Sequence, residues 1–307
     1  MFDIVTPRYN HNQAYDYFQS CLHSSIDYLA EFYQLHDISK PKDSSWEMCA
    51  AHYLASKSAE SDKHEDAVKY LRYINEIKNK SEITVTPLTS KDGSFSKSMI
   101  IKIINDDREL GFGYCDDDCL VASESEKIFN AINVIKEFSP EAYSELDKYI
   151  KSIYLTKETL DGSRFMRSGT NFYMWGMMFV YINGEHTVPY YIDIIAHECG
   201  HTALNIINSF DEIVLNNPND TFDAPLRDDK RPMIGIFHAF FVLSRICYVL
   251  KSISESGCVE YADECRDRFE MNFKKLDSTH KIVRDNAAFT PEGQRIYDGI
   301  CELWSLS

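Results

Sequence analysis

The sequence predicts an α+β fold, mostly helical, with a small sheet packed on a helix that carries His197, Glu198 and His201. Over long stretches apolar residues recur at the 3.6-residue period of a helix. Short β-branched or continuously apolar runs interrupt that texture in a few places, as strands do. A chain of 307 residues can bury a sizeable core as one large domain or two smaller ones.

Residues 13–33 open with Tyr17, Phe18, Cys21, Leu22, Ile26, Leu29, Ala30 and Tyr33 on one helical face. Ser45 is placed to cap a second helical region that begins at Trp46 and reaches residue 77, with a polar middle (56–66) that splits it. Residues 83–86 and 99–103 are β-branched runs around Asp92-Gly93, the pattern of a hairpin. Gly111, Gly113 and the run Asp116, Asp117, Asp118 mark a loop, and helices follow at 125–138 and 140–151. Ile153 to Leu155 reads as a short strand, and 174–182 as a buried central one. The segment 190–207 is the helix of the motif. After a loop at 216–230, Pro232 opens a strongly apolar helix to residue 253, and helices at 259–286 and 291–306 close the chain. No repeat and no long linker is present. The expected division is residues 1–120, an N-terminal helical region with the β-hairpin and a candidate peptide-binding part, and residues 121–307, the catalytic domain.

Composition narrows the function. Apolar residues are 44% and charged ones 26%, as in ordinary globular proteins, and 19 Tyr with 18 Phe argue against disorder. Acidic residues number 48 against 32 basic, a net charge of −16. That field repels phosphate backbones and anionic lipid, so neither nucleic acid nor membrane is an expected partner. Nine scattered cysteines fit reduced thiols better than a disulfide framework, and no secretory signal opens the chain, so a cytoplasmic location is expected.

Residues 197–201 read His-Glu-Cys-Gly-His, an HExxH motif. Two histidines four apart on a helix stand one above the other and reach one ion. Glu198 is rotated about 100° from His197, better placed to hydrogen-bond an ion's bound ligand than to hold the ion itself. Two histidines and a glutamate in an apolar helix are costly without a partner, which makes metal binding the expected role. Positions 204 and 207 are Leu204 and Ile207, so the extended metzincin pattern is absent, and Glu212 lies in the loop turn. His238, in the apolar run 234–242, is the best remaining third ligand; the alternative is a neutral core histidine.

Here the residues resemble a known family. Residues 224–232, Ala-Pro-Leu-Arg-Asp-Asp-Lys-Arg-Pro, followed by Gly235, Ile236, Phe237 and His238, look like the "SPWRxDxRP…G(V/L)LHG" signature. It follows HExxH in the HExxH-type peptide β-hydroxylases of ribosomal-peptide (RiPP) biosynthesis. The segment 167–171, Arg-Ser-Gly-Thr-Asn, is similar to that family's "SGTS", and 289–293, Phe-Thr-Pro-Glu-Gly, to its "LTPAG". The resemblance covers roughly residues 125–300. Ala224, Leu226 and Ala239 depart from the signature and bear on substrate preference.

Membership would imply a cytoplasmic non-haem iron oxidoreductase, a 2-oxoglutarate-dependent dioxygenase that hydroxylates a β-carbon in a precursor peptide. The expected fold itself resembles a zincin-like catalytic core more than the double-stranded β-helix of most 2-oxoglutarate oxygenases. His197, His201 and His238 would hold Fe(II), leaving positions for 2-oxoglutarate and O₂. The far carboxylate of 2-oxoglutarate needs a guanidinium, for which Arg231 and Arg227 are the family-suggested candidates. Arg245 is a rival, seven residues after His238 on the same helical face; for each arginine the alternative is an ion pair with neighbouring aspartates. Ser168, Thr170 and Asn171 are candidates to line the site. A second reading uses the same helix: a zinc metallopeptidase with Glu198 as general base. A third is a catalytically silent peptide-binding protein with a structural metal.

Overall fold

The computed structural model describes residues 11–106, 111–159, 168–225 and 229–307, apart from the side chains of residues 11 and 12. The architecture is α+β and mostly helical. The helices are α1 (His11–Phe32), α2 (Trp46–Glu60), α3 (His64–Tyr73), α4 (Phe95–Asp106), α5 (Asp118–Phe138), α6 (Pro140–Tyr149), α7 (Val188–Asn208), α8 (Met233–Ser254), α9 (Ala262–Asn286) and α10 (Pro291–Trp304). The strands are β1 (Thr84–Pro87), β2 (Ser152–Thr156), β3 (Ser168–Gly169), β4 (Met177–Tyr181), β5 (Thr221–Phe222) and β6 (Arg231–Pro232).

Two compact units divide these elements, and each is discontinuous in sequence. The sheet unit comprises Tyr15–Ser125 and Tyr149–His186. Its sheet has the order β1-β2-β4-β3, parallel except for β3, which runs antiparallel at the edge of β4. β4 lies inside this order and is buried along nearly its whole length, so it reads as an unbroken apolar run, Met177 to Tyr181. Around it, Trp46 at the start of α2 meets the Tyr154 ring edge-on at 5.6 Å. Ser45 caps α2 by accepting from the Met48 amide, and Asp62, at φ 56°, marks the break before α3. The split expected within 56–66 is therefore present.

The hairpin expected from 83–86 and 99–103 is not. Residues 99–103 belong to α4, where Met99, Ile100, Ile103 and Ile104 are buried at helical spacing. Ser94 accepts from the Lys97 amide at 3.2 Å and starts the helix. A β-branched run is a weak local preference, and burial of one helical face overrides it. β1 instead takes a parallel partner far along the chain in β2.

The helix unit holds 126–148 and Thr187–Ser307, with the first described turn of α1. Here α8 packs between α7 and α9. Gly200 permits this closeness: a Cβ there would lie 3.1 Å from Cδ of Arg245 and 3.2 Å from Cγ2 of Val242. Among the described residues α8 alone is long and apolar enough to cross a membrane, and 72% of its most apolar window is buried inside the protein, as in a core helix. Where a single division near residue 120 was expected, residues 149–186 return to the sheet unit.

Candidate metal centre

The motif helix begins cleanly. Thr187 accepts from the Tyr190 amide at 3.2 Å, and Pro189 sits in the first turn, where no intrahelical N–H bond is lost. One turn apart on α7, the His197 and His201 rings lie 4.9 Å apart by centroid, and their Nε2 atoms 3.1 Å apart. Two nitrogens so spaced, each about 2.0–2.1 Å from a shared ion, subtend roughly 95–100° at it, a workable donor angle.

A ligand nitrogen must be unprotonated. Burial lowers the His197 pKa to about 4, with a smaller contribution from the Lys275 charge. His201 falls well below its ordinary value, through burial first and then the neighbouring His197 and His238. Burial also takes His238 to about 4. Each imidazole keeps a partly accessible edge, yet the chain packed around it removes enough water to disfavour the charged form.

His238 stands beside this pair. Its ring stacks on His201 with centroids 5.8 Å apart and planes 26° apart. Among the described residues no group of three or more His, Cys, Asp or Glu side chains is gathered as a metal ion needs. His238 is not among the residues lining the cavity on which the pair opens.

His197 and His201 open on a cavity of about 240 Å³. Its wall is largely apolar, with Ile236, Val242 and Leu243 from α8 and Ala224 and Pro225 from the loop before β6; the other polar contributions come from Arg231 and Thr279. Arg231 is held there by the short ribbon in which Phe222 of β5 faces it. Its Nε lies 2.8 Å from Oδ2 of Asp229, a charge contact without hydrogen-bond alignment. Arg231 is thus half-exposed at the cavity wall, with an ion pair of the kind weighed as its alternative role.

The other candidates fall elsewhere. Arg245 is 4% exposed, ion-paired with Glu145 of α6, itself 2% exposed, and its guanidinium lies 4.7 Å above the Phe241 ring. It borders a separate small cavity with Glu145 and Cys199, not the histidine one. Seven residues from His238 put it on the expected face, but Glu145 takes its charge. Arg227 lies outside the described residues. Glu198 is buried at 2% exposure and is not part of the cavity wall; its carbonyl accepts from Oγ1 of Thr202 at 3.0 Å. Ser168, Thr170 and Asn171 lie in the sheet unit. There Ser168 pairs with Val180 in the ladder, and Asn171 caps a short 3₁₀ turn by accepting from the Tyr173 amide at 2.9 Å.

The segment 289–293 has a packing role. Thr290 caps α10 through the Gly293 amide (2.9 Å) and donates to Asp211 (2.7 Å) just after the motif helix. A Cβ on Gly293 would fall 1.9 Å from the Ile213 carbonyl oxygen, so only glycine permits that approach. Phe289 meets Phe237, the neighbour of His238, at 5.6 Å.

Sequence reasoning passed over α9. It supplies Thr279 to the cavity wall, and Lys275 one turn earlier lies close enough for its charge to act on His197. The available signal was a polar set, Asn272, Thr279 and His280, on the buried stripe of an otherwise hydrophilic helix. In comparisons with known proteins, the chain matches no family model and no curated sequence.

Proposed function

We propose that this chain is an Fe(II)/2-oxoglutarate-dependent oxygenase that hydroxylates a β-carbon of a residue in a ribosomally synthesised precursor peptide. The observation that carries the reading is the joint opening of His197, His201 and Arg231 on one largely apolar cavity. The histidine pair suits a divalent ion by spacing and by its uncharged state. Bound there with 2-oxoglutarate and O₂, iron would supply the oxidation that converts a C–H bond to C–OH while 2-oxoglutarate becomes succinate and CO₂.

The chain's own residues have distinct tasks in this reading. Arg231 grips the far carboxylate of 2-oxoglutarate, for which its planar fork is suited. The apolar wall excludes water and strengthens that pairing. The reading also assigns His238 the third ligand position, and Glu198, buried behind the cavity wall, hydrogen bonding to a bound ligand once its side chain swings toward the histidines. A zincin-like core, with the HExxH helix backed by a small sheet, belongs to the same proposal. A peptidase needs no cosubstrate carboxylate clamp, so Arg231 favours the oxygenase over the zinc alternative.

The test is anaerobic addition of Fe(II) and 2-oxoglutarate, read by the weak visible charge-transfer band of the chelate, followed by oxygen and measurement of succinate. Arg231→Ala should retain metal and lose the band at wild-type cosubstrate concentration. Absence of the band in the wild type, with peptide cleavage supported by Zn²⁺, overturns the proposal.

A further inference from the structure

The cations of α9 are mostly spoken for. Arg266 pairs with Asp263 at 2.8 Å, Arg268 with Glu264 at 2.9 Å, Lys281 with Asp277 at 2.7 Å and Arg284 with Asp285 at 3.0 Å. Lys274 is exposed to solvent. Lys275 differs: it is half-buried, and no ion pair or hydrogen bond joins its ammonium to a described residue. Its charge acts on two residues of α7, His197 and Asp193. Asp193 already has Asn272 at 3.1 Å and Arg268 at 3.5 Å. One turn further along α9, Thr279 lines the histidine cavity, and Lys275 stands just behind that wall without lining it. A flexible four-carbon stem lets the ammonium move toward that wall.

A positive charge that acts on His197, one of the two candidate ligands, opposes a cation there. A carboxylate seated between them reverses the effect, because it attracts both. We infer that Lys275 is an anion anchor of this cavity, meeting one carboxylate of a small dicarboxylate whose other end Arg231 grips. This rests on the oxygenase reading above, and adds that cosubstrate and metal bind cooperatively through Lys275.

The test uses full-length protein loaded with redox-silent Zn²⁺ and titrated calorimetrically with 2-oxoglutarate. Lys275→Gln, and Lys275→Met, which keeps the apolar stem, should each weaken 2-oxoglutarate at least tenfold. Zinc affinity without 2-oxoglutarate should be equal or higher in both variants, since a repelling charge is gone. Lys275→Arg should stay within about threefold of wild type, and Lys274→Gln should match it. Wild-type affinity in Lys275→Gln and Lys275→Met overturns the inference and leaves the oxygenase reading standing. So does a joint loss of zinc and 2-oxoglutarate, which marks a merely structural lysine. If the wild type binds no 2-oxoglutarate, the oxygenase reading itself fails and takes the inference with it.

Discussion

Glu145→Gln removes the negative charge that Arg245 meets inside the helix unit. Both side chains are nearly inaccessible, at 2% and 4%, so water does not replace the lost partner. Removing one member of a buried pair leaves an uncompensated charge and costs about 3–5 kcal/mol. The amide still offers an oxygen to the guanidinium, so Glu145→Gln belongs at the lower end, near 3 kcal/mol. Glu145→Ala also enlarges the adjoining cavity of about 20 Å³ and belongs higher. Replacing both members, as in Glu145→Leu with Arg245→Met, removes the charge problem altogether and should fall near wild type or above it. Urea unfolding followed by circular dichroism measures all of these, and the double-mutant cycle isolates the pair. The same proteins decide whether Arg245 serves the cosubstrate, because a structural ion pair predicts unchanged 2-oxoglutarate affinity in the folded double variant. Single variants within about 0.5 kcal/mol of wild type, or a double variant that folds normally yet binds no 2-oxoglutarate, would refute this reasoning.

The metal-free protein should lose stability on mild acidification. His197 and His238 titrate near pH 4 when folded and near the ordinary 6.5 when unfolded, so between these values the unfolded chain binds more protons. Stability present above pH 6.5 therefore drains as pH falls toward 4; urea midpoints across that range should show it, and a flat profile contradicts the burial argument. Gly200→Ala places a Cβ against Arg245 and Val242. Overpacking should outweigh the helix-propensity gain and leave a net loss of about 1 kcal/mol, relieved when Val242 is shortened to alanine. Gly293→Ala must push α10 away from the Ile213 carbonyl, so a loss of about 3 kcal/mol or more is expected, and a melting temperature equal to wild type rejects that contact. His238→Gln should lower metal affinity in equilibrium dialysis, whereas His197→Ala and His201→Ala should abolish binding. Unaltered metal content in His238→Gln makes it a stacking partner of His201 and nothing more.

What the sequence determined by itself is local. The HExxH spacing places two histidines on one face of one helix because four residues make about one turn, whatever surrounds them. The apolar run of α8, the Ser45 cap, and the buried strand β4 were legible for the same reason: each signal and its consequence lie within a few residues. Partners distant in sequence were not legible. Residues 99–103 have strand-like composition, and only the surface that covers Met99, Ile100, Ile103 and Ile104 makes them a helix. Along the chain Arg245 stood as a rival to Arg231; tertiary packing brought Glu145 of α6 to Arg245 and left Arg231 at the cavity wall. α9 reached the site from beyond residue 260; its buried polar set, Asn272, Thr279 and His280, marks an unusual face without saying which helix it meets. Helical periodicity is written in near neighbours, whereas the sign of the charge a buried side chain meets depends on which distant segments burial of apolar surface brings together.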